Sequence, residues 1–272
     1  RYRCFDQLNL DLGPLGVIVG SNGSGKTTLL DIPVLLGDLL KARNIGSAFL
    51  NPIQQRGPRA TSFTELVHLG LGDSFILAVE AKLPERVVRD LLEGASDTIR
   101  SKEEKWPTHI RYELRLQIFN QRDLQIQNEY LFTFAEQHSP PRSDVGAAPR
   151  LHGEINPRRE WSFTVRREYG GESSFRIETK GRAKPKNAAI GPDLLALPKV
   201  QFESRNEYPA ARWFFDLLAQ EAIFLDPDWN ALRMPSPPGQ SSTLLPNARN
   251  LPWLALHLKQ QNPELFEAWK EH

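Results

Sequence analysis

Apolar and polar residues alternate in several short runs between residues 3 and 179, and this period of two predicts β-strands. Residues 3–12 form the first run, which turns at residues 13–16 into the β-branched run Val17-Ile18-Val19. This arrangement predicts a hairpin that ends in a buried strand. Further strands are predicted at 75–82, in a hairpin of 110–116 and 124–131 with its turn at 120–122, and in a second hairpin of 161–167 and 174–179.

Other segments repeat apolar residues at three- and four-residue intervals, which predicts amphipathic helices. The most apolar of them follows residue 28, and Pro33 is expected to kink or restart it after about two turns. The other predicted helical segments are 84–94, 191–226 with breaks at Pro198 and Pro209 and an exit at Asp226-Pro227, and 251–270 with a break at Pro263. Residues 137–157 and 235–252 are rich in loop-forming residues and predict irregular chain.

The composition excludes several classes of protein. The 272 residues, with 40% hydrophobic and 25% charged side chains, are typical of one large or two small globular domains. A net charge of +1 excludes a globally basic nucleic-acid binder. The single cysteine, Cys4, excludes an internal disulfide framework, and the six histidines show no metal-binding spacing. No apolar run is long enough for a membrane span and no signal peptide is visible, so a cytoplasmic location without a membrane partner is expected.

Residues 20–27 carry the most specific motif in the chain. They read Gly20-Ser21-Asn22-Gly23-Ser24-Gly25-Lys26-Thr27 and match G-x-x-x-x-G-K-[ST], the Walker A pattern. The glycines let the backbone approach phosphate, and the amides between them can surround an anion at the start of a helix. ATP and Mg²⁺ are therefore the predicted cofactors. The alternative is a Gly/Ser-rich turn that contains a lysine by chance.

The motif assigns a role to each polar side chain at its end. Lys26 is the predicted catalytic residue because its charge would contact the β- and γ-phosphates. The Thr27 hydroxyl is placed to bind Mg²⁺, and Thr28 is placed to contact the α-phosphate.

The opening Tyr2-Arg3-Cys4-Phe5, followed by the run from Gly20 to Asp31, resembles the ABC-type head ATPases of the SMC, RecF and OLD kind. Asn22 is typical of this group. The segment 62–67 before the strand at 75–82 and the alternating hairpin at 110–131 support a narrower resemblance to the AAA-family ATP-binding proteins of bacterial defence and repair loci. The resemblance implies an α/β, P-loop NTPase lobe of the ABC/SMC-head type, with a β-rich antiparallel subdomain and C-terminal helices. It divides the chain into a nucleotide-binding core at 1–60, a β-rich insertion at 61–190 and a helical segment at 191–272.

Two motifs that such heads carry in their second half are missing. The Gly-Gly at 170–171 has no Leu-Ser before it, and its place between two predicted strands favours a hairpin turn over a signature loop. Ile223-Phe224-Leu225-Asp226 resembles a Walker B strand, but Pro227 stands where the catalytic glutamate would follow. Because the first residue is also not methionine, we expect the chain to be the incomplete front portion of a longer ATPase.

The resemblance also implies partners and further site residues. Two heads of this type enclose ATP between them, which implies a second head, as a homodimer, and an effector nuclease, a toxin or DNA as a further partner. Arg3 would contact the phosphate or the adenine. The Q-loop glutamine remains open among Gln54, Gln55, Gln125 and Gln127.

Two functions from other classes remain as alternatives. One is a regulatory module that binds ATP without hydrolysing it, and the chain alone should bind nucleotide more readily than it hydrolyses it. The other is a small-molecule kinase or a GTPase, which is disfavoured because no Asn-Lys-x-Asp motif follows.

Residues 150–186 hold ten basic residues against five glutamates, a net charge of +5. This concentration is compatible with a nucleic-acid face, but a solvated hairpin is the favoured interpretation.

Overall fold

The computed structural model describes residues 1–53, 56–141, 150–155, 158–180, 184–204, 206–236, 239–240 and 243–271. The chain divides into two compact units, Arg1–Ala222 and Ile223–His272. The first unit is mixed α/β and contains a six-stranded sheet. The second unit contains only helices and irregular chain among its described residues.

The sheet is antiparallel throughout, and its strands lie side by side in sequence order. The strands are β1 Ser74–Lys82, β2 His109–Phe119, β3 Asp123–Phe134, β4 Ser162–Arg167, β5 Ser173–Phe175 and β6 Lys186–Ala188. The predicted strand at 75–82 and the predicted hairpin at 110–131 are confirmed. The hairpin predicted at 161–179 is formed as well, but its second strand ends at Phe175 instead of residue 179. Residues 120–122 join β2 to β3. Asn120 and Gln121 adopt φ values of 48° and 60°, and the amide of Arg122 donates to the carbonyl of Phe119.

The helices of the first unit are α1 Lys26–Lys41, α2 Ser47–Leu50, α3 Glu85–Glu93, α4 Asp97–Arg100, α5 His152–Ile155 and α6 Pro209–Asp216. Short 3₁₀ turns and a π-helical turn, Leu217–Glu221, complete its regular structure. The predicted helix at 84–94 is confirmed.

The proline-based predictions were only partly correct. Pro33 neither ends nor restarts α1, which is continuous over 16 residues because its buried second half is held by packing. Pro209 begins α6, so the predicted break there is confirmed. Pro198 instead lies in the first turn of a 3₁₀ helix, Leu197–Phe202, where a proline removes no intrahelical hydrogen bond. The helical chain also ends at Glu221, before the expected exit at Asp226-Pro227, because the amide of Ala222 closes the π-turn on the carbonyl of Leu217.

The two faces of the sheet bury different clusters. On one face, Leu77 and Leu114 pack with α1 and α6 in the main hydrophobic core. On the other face, Phe132, Phe134 and Trp161 belong to a smaller aromatic cluster that Leu151 completes. The rings of Phe132 and Trp161 stack with their centroids 4.9 Å apart.

Helix α1 makes an unusually close contact with the π-helical turn. Gly37 lies in the middle of α1, and a β-carbon at that position would overlap the carbonyl oxygen of Leu218. The glycine therefore lets the helix backbone reach the π-turn directly.

Buried carboxylates connect the sheet to the helical segments. Glu129 on β3 accepts hydrogen bonds from the amides of Ala196 and Leu197 at 2.6 and 2.8 Å. Glu178, just after β5, accepts hydrogen bonds from the amides of Ala210 and Ala211 at the start of α6. Each carboxylate thereby supplies the acceptor that the exposed amides of a helical N-terminus require.

The second unit contains α7 Trp229–Leu232, α8 Leu251–Gln261 and α9 Pro263–Glu271. Asp228 caps α7 by accepting hydrogen bonds from the amides of Asn230 and Ala231. The predicted break at Pro263 is confirmed, since that proline begins α9. None of the helices described in either unit is both long enough and apolar enough to span a bilayer.

Candidate functional site

Residues 20–25 form a loop that leads directly into α1. Gly23 and Gly25 adopt φ values of 80° and 93°, the left-handed region that favours glycine. The Lys26 side chain folds back over the loop, and its Nζ donates to the carbonyl oxygens of Gly20 and Ser21 at 2.8 and 2.7 Å. The lysine charge is thus held at the start of the helix.

The N-terminus of α1 has the properties of an anion site. No side chain of the described residues caps it, and its first turn carries no acidic residue. The first hydrogen bond of the helix runs from the amide of Leu29 to the carbonyl of Gly25. The amides of Lys26, Thr27 and Thr28 therefore have no intrahelical acceptor, and the helix dipole favours negative charge there. The Thr27 side chain is exposed beside these amides.

The opening residues of the chain pack against the loop. A β-carbon on Gly25 would lie 2.6 Å from the Cys4 sulfur and 2.7 Å from the Phe5 ring, so only glycine fits. Arg3 adopts a φ of 51°, and its amide donates to the carbonyl of Leu66. His68 Nδ1 lies 3.0 Å from the carbonyl oxygen of Arg3. His68 could not be predicted as a neighbour of Arg3 from the sequence, because no local pattern links the two residues.

The hairpin predicted to precede the loop is not formed, and this prediction was wrong. Residues 6–20 contain no regular secondary structure, and Val17 and Val19 are 84% and 85% exposed. A strand requires a hydrogen-bonding neighbour, and no described strand pairs with residues 17–19. The nearest β-type contacts are single bridges from Tyr2 to Phe5 and to Val67.

A buried ion cluster fixes α1 to the chain that follows it. Arg59 bonds to Asp31 at 2.7 Å, to Asp38 at 2.7 Å and to the carbonyl of Ala48 at 2.8 Å. Arg56 adds a second contact to Asp31 at 2.9 Å. Burial alone would raise the pKa of Asp31, but the bonds from Arg59 and Arg56 outweigh it and lower that pKa. Arg59 has no sequence signature, because its partners lie on another element.

Two of the four candidate Q-loop glutamines lie on a described strand, and the other two do not belong to the described residues. Gln54 and Gln55 lie outside the described residues; their neighbours Ile53 and Arg56 are hydrogen-bonded to each other. Gln125 and Gln127 lie on β3, where Gln127 donates to Gln117 of β2. Within the described residues, no hydrogen bond joins either of these two to the loop.

The basic segment at 150–186 is divided by the fold. Arg167 is buried and donates to the carbonyls of Leu194, Gly191 and Ile190. Three others pair with glutamates: Arg166 with Glu168, Lys180 with Glu207, and Lys186 with Glu203. Arg182, part of the same concentration, lies outside the described residues.

The structure also describes the two segments that resemble a signature loop and a Walker B strand, residues 170–171 and 223–226. The Gly-Gly at 170–171 lies in the turn between β4 and β5, with Gly170 at a φ of 70°, so the predicted hairpin turn is confirmed. Residues 223–225 form no strand in the second unit. Among the described residues, no group of three or more His, Cys, Asp or Glu side chains is placed to hold a metal ion.

Comparison with known proteins gives one partial likeness. Over 55 residues the chain is 46% identical to an OLD nuclease of Thermus scotoductus. That stretch is 19% of this chain and 10% of the OLD nuclease, so the match spans about a tenth of the relative's length. No family model matches the chain, and no solved structure matches it. The likeness supports the broad OLD relationship and nothing finer.

Proposed function

We propose that this chain is the ATP-binding portion of an ABC/SMC-like P-loop ATPase of the OLD kind, with its nucleotide site at residues 20–28. One observation carries the proposal: Lys26 Nζ is held over a glycine loop at the uncapped start of α1. A cation, free helix amides and left-handed glycines together are the donor set that a polyphosphate requires. The partial likeness to an OLD nuclease supports the OLD kind in this proposal.

The residues of the loop divide the work of binding. The amides at 23–28 would surround the phosphates, and Lys26 would exchange two neutral carbonyl acceptors for charged phosphate oxygens, which form stronger hydrogen bonds. The Thr27 hydroxyl would bind Mg²⁺, and Thr28 would contact the α-phosphate. Arg3, whose backbone is fixed beside the loop, would add a second positive charge. Bound Mg-ATP supplies the phosphoanhydride that such an ATPase hydrolyses.

The apolar residues before the loop form no strand, so this proposal rests on the loop and the start of α1. Leu8, Leu10 and Leu12 are 42%, 50% and 70% exposed. A second head and an effector nuclease, toxin or DNA remain the proposed partners.

The alternative is a module that binds ATP without hydrolysing it. It is favoured by Pro227, which follows Asp226 in place of a glutamate, in a segment without a strand. Both proposals have this chain bind ATP. They differ only in whether the bound ATP is hydrolysed.

Cys4 offers a test of where the nucleotide binds, because it is the only cysteine, is exposed, and contacts Gly25. We expect Mg-ATP to slow the alkylation of Cys4 by N-ethylmaleimide several-fold in the unmodified chain and in Lys41→Ala. Lys41 lies at the other end of α1 and serves as the matched control. In Lys26→Ala the protection should disappear. Equal alkylation rates with and without Mg-ATP in the unmodified chain would refute the proposed site.

A further inference from the structure

A row of charged side chains crosses the sheet face that lies opposite the main core. Arg111 on β2 bonds to Glu113 of the same strand at 2.7 Å and to Glu80 of β1 at 3.3 Å. The Glu113 side chain is only 1% exposed, so its charge must be neutralised by its neighbours.

His152 completes this row from the helix α5. Its Nδ1 lies 2.8 Å from Glu113 Oε1, and its Nε2 lies 2.7 Å from the carbonyl oxygen of Pro141. The amide of Gly153 donates to the second oxygen of Glu113 at 3.1 Å. The histidine therefore joins the sheet to two separate pieces of chain.

Both partners of the His152 ring are acceptors. A carbonyl oxygen has no proton to donate, and an ionised carboxylate has none either. Burial alone would raise the pKa of Glu113, but the bonds from His152, Arg111 and Gly153 outweigh it and lower that pKa, which keeps the carboxylate ionised. Both ring nitrogens must then donate, and only the protonated imidazole can do so.

We propose that His152 is a pH-operated latch that holds residues 139–141 and 150–153 against the sheet while its ring is protonated. Residues 139–141 and 150–152 line a cavity of about 580 Å³. Residues 6–12, together with Leu29 and Ile32 of α1, line the same cavity. Opening the latch would widen a cavity that borders the helix carrying Lys26.

The charged groups around the ring come from β1, β2 and α5, and Arg150 and His109 line the same cavity. Arg111 and Arg115 on β2 stay cationic, and Arg115 is paired with Glu154 of α5 at 3.0 Å. Glu80 of β1 faces Arg111. Trp161 is a further neighbour, whose ring meets the imidazole edge to face with centroids 6.1 Å apart.

The direction of the change follows from the two acceptors. When pH rises and the ring loses a proton, the remaining proton stays on Nδ1, because an ionised carboxylate is the stronger acceptor. The Nε2 lone pair then faces the Pro141 carbonyl, and that contact becomes repulsive. Residues 139–141 are released, while the amide of Gly153 keeps its bond to Glu113.

Hydrogen exchange of single amides tests this order of events. The amide of Ser139, bonded to Glu136, should lose protection by roughly tenfold between about pH 5.5 and about pH 8.5, whereas that of Gly153 should keep it. Protection factors correct for the intrinsic pH dependence of exchange. The His152→Gln variant, which cannot titrate, should show no step. The His109→Gln control removes another half-buried histidine of the same cavity and should retain the step.

Nitrogen-15 chemical shifts of the imidazole ring provide the second measurement, which does not depend on a variant that folds. The proposal expects both ring nitrogens of His152 to be protonated at about pH 5.5. A neutral ring at that pH, or an exchange step at Ser139 that survives in His152→Gln, would overturn it.

Discussion

The sulfur of Cys4 lies against Gly25, so the first residues of the chain close one side of the glycine loop. A β-carbon on Gly25 would stand 2.6 Å from that sulfur, closer than a real β-carbon tolerates. Gly25 also has a φ of 93°, which side chains rarely adopt. Both the space beside Cys4 and the left-handed backbone therefore require glycine at position 25.

The two left-handed glycines of the loop should respond differently to alanine. Gly23→Ala introduces only backbone strain, because nothing lies within 4 Å of the new β-carbon, and should cost about 1 kcal/mol. Gly25→Ala adds the overlap with Cys4 and Phe5 and should cost about 2–3 kcal/mol. Urea unfolding of both variants measures the difference. Equal losses in the two variants would show that the opening residues do not press on the loop.

At Gly37, a change to alanine should have the opposite effect on stability from the one usual inside a helix. Replacing a glycine inside a helix by alanine ordinarily stabilises it by about 1 kcal/mol. Here the new β-carbon would overlap the Leu218 carbonyl, so Gly37→Ala should destabilise the chain by about 1–3 kcal/mol. The control is Gly57→Ala, where the space is open and little change is expected. A higher melting temperature for Gly37→Ala would contradict the packing of α1 on the π-turn.

Arg59 should contribute far more to stability than an exposed arginine. Arg59→Met leaves the buried carboxylates of Asp31 and Asp38 without their main partner and should cost about 3 kcal/mol or more. Arg166→Met removes an exposed pair with Glu168 and should cost less than about 1 kcal/mol. Chemical denaturation of the two variants compares them, and similar losses would argue against the ion cluster as an anchor of α1.

The raised pKa of Glu178 should make the free energy of unfolding fall as pH rises. Burial raises its pKa from the ordinary 4.5 to about 7, although Thr164 and the amides of α6 donate to it. Between these values the folded chain holds a proton that the unfolded chain has released, so the free energy of unfolding decreases with pH, by up to about 3 kcal/mol. Glu178→Gln should remove this part of the slope, measured by urea unfolding at several pH values. Glu168→Gln, at an exposed site, should leave it, and an unchanged slope in Glu178→Gln would refute the assignment.

Much of the sheet could be predicted from the sequence because its pairing is local. Strands β2 and β3 alternate clearly and are joined by the short turn at residues 120–122, so neighbouring residues determine their register. Neighbouring residues do not determine whether residues 17–19 form a strand, because a strand forms only where a partner supplies hydrogen bonds. The same alternation therefore led to a correct prediction at 110–131 and a wrong one at 3–19.

The candidate site divides in a similar way. The loop at 20–28 could be recognised because its residue types follow one another in the chain. The side chains that support it, Arg59 and His68, could not, because each acts on a residue far away in sequence. The burial of Arg167 could not be predicted for the same reason, since the carbonyl groups that it binds lie beyond β6.

The binding of Mg-ATP by the unmodified chain, compared with Lys26→Ala, tests the central claim most directly. Isothermal titration should show one site in the unmodified chain and an affinity at least about tenfold weaker in Lys26→Ala, because a charge-assisted contact to phosphate is lost. Lys41→Ala should bind as the unmodified chain does. Equal affinity in Lys26→Ala, or no binding by the unmodified chain, would contradict the assignment of residues 20–28 as a nucleotide site.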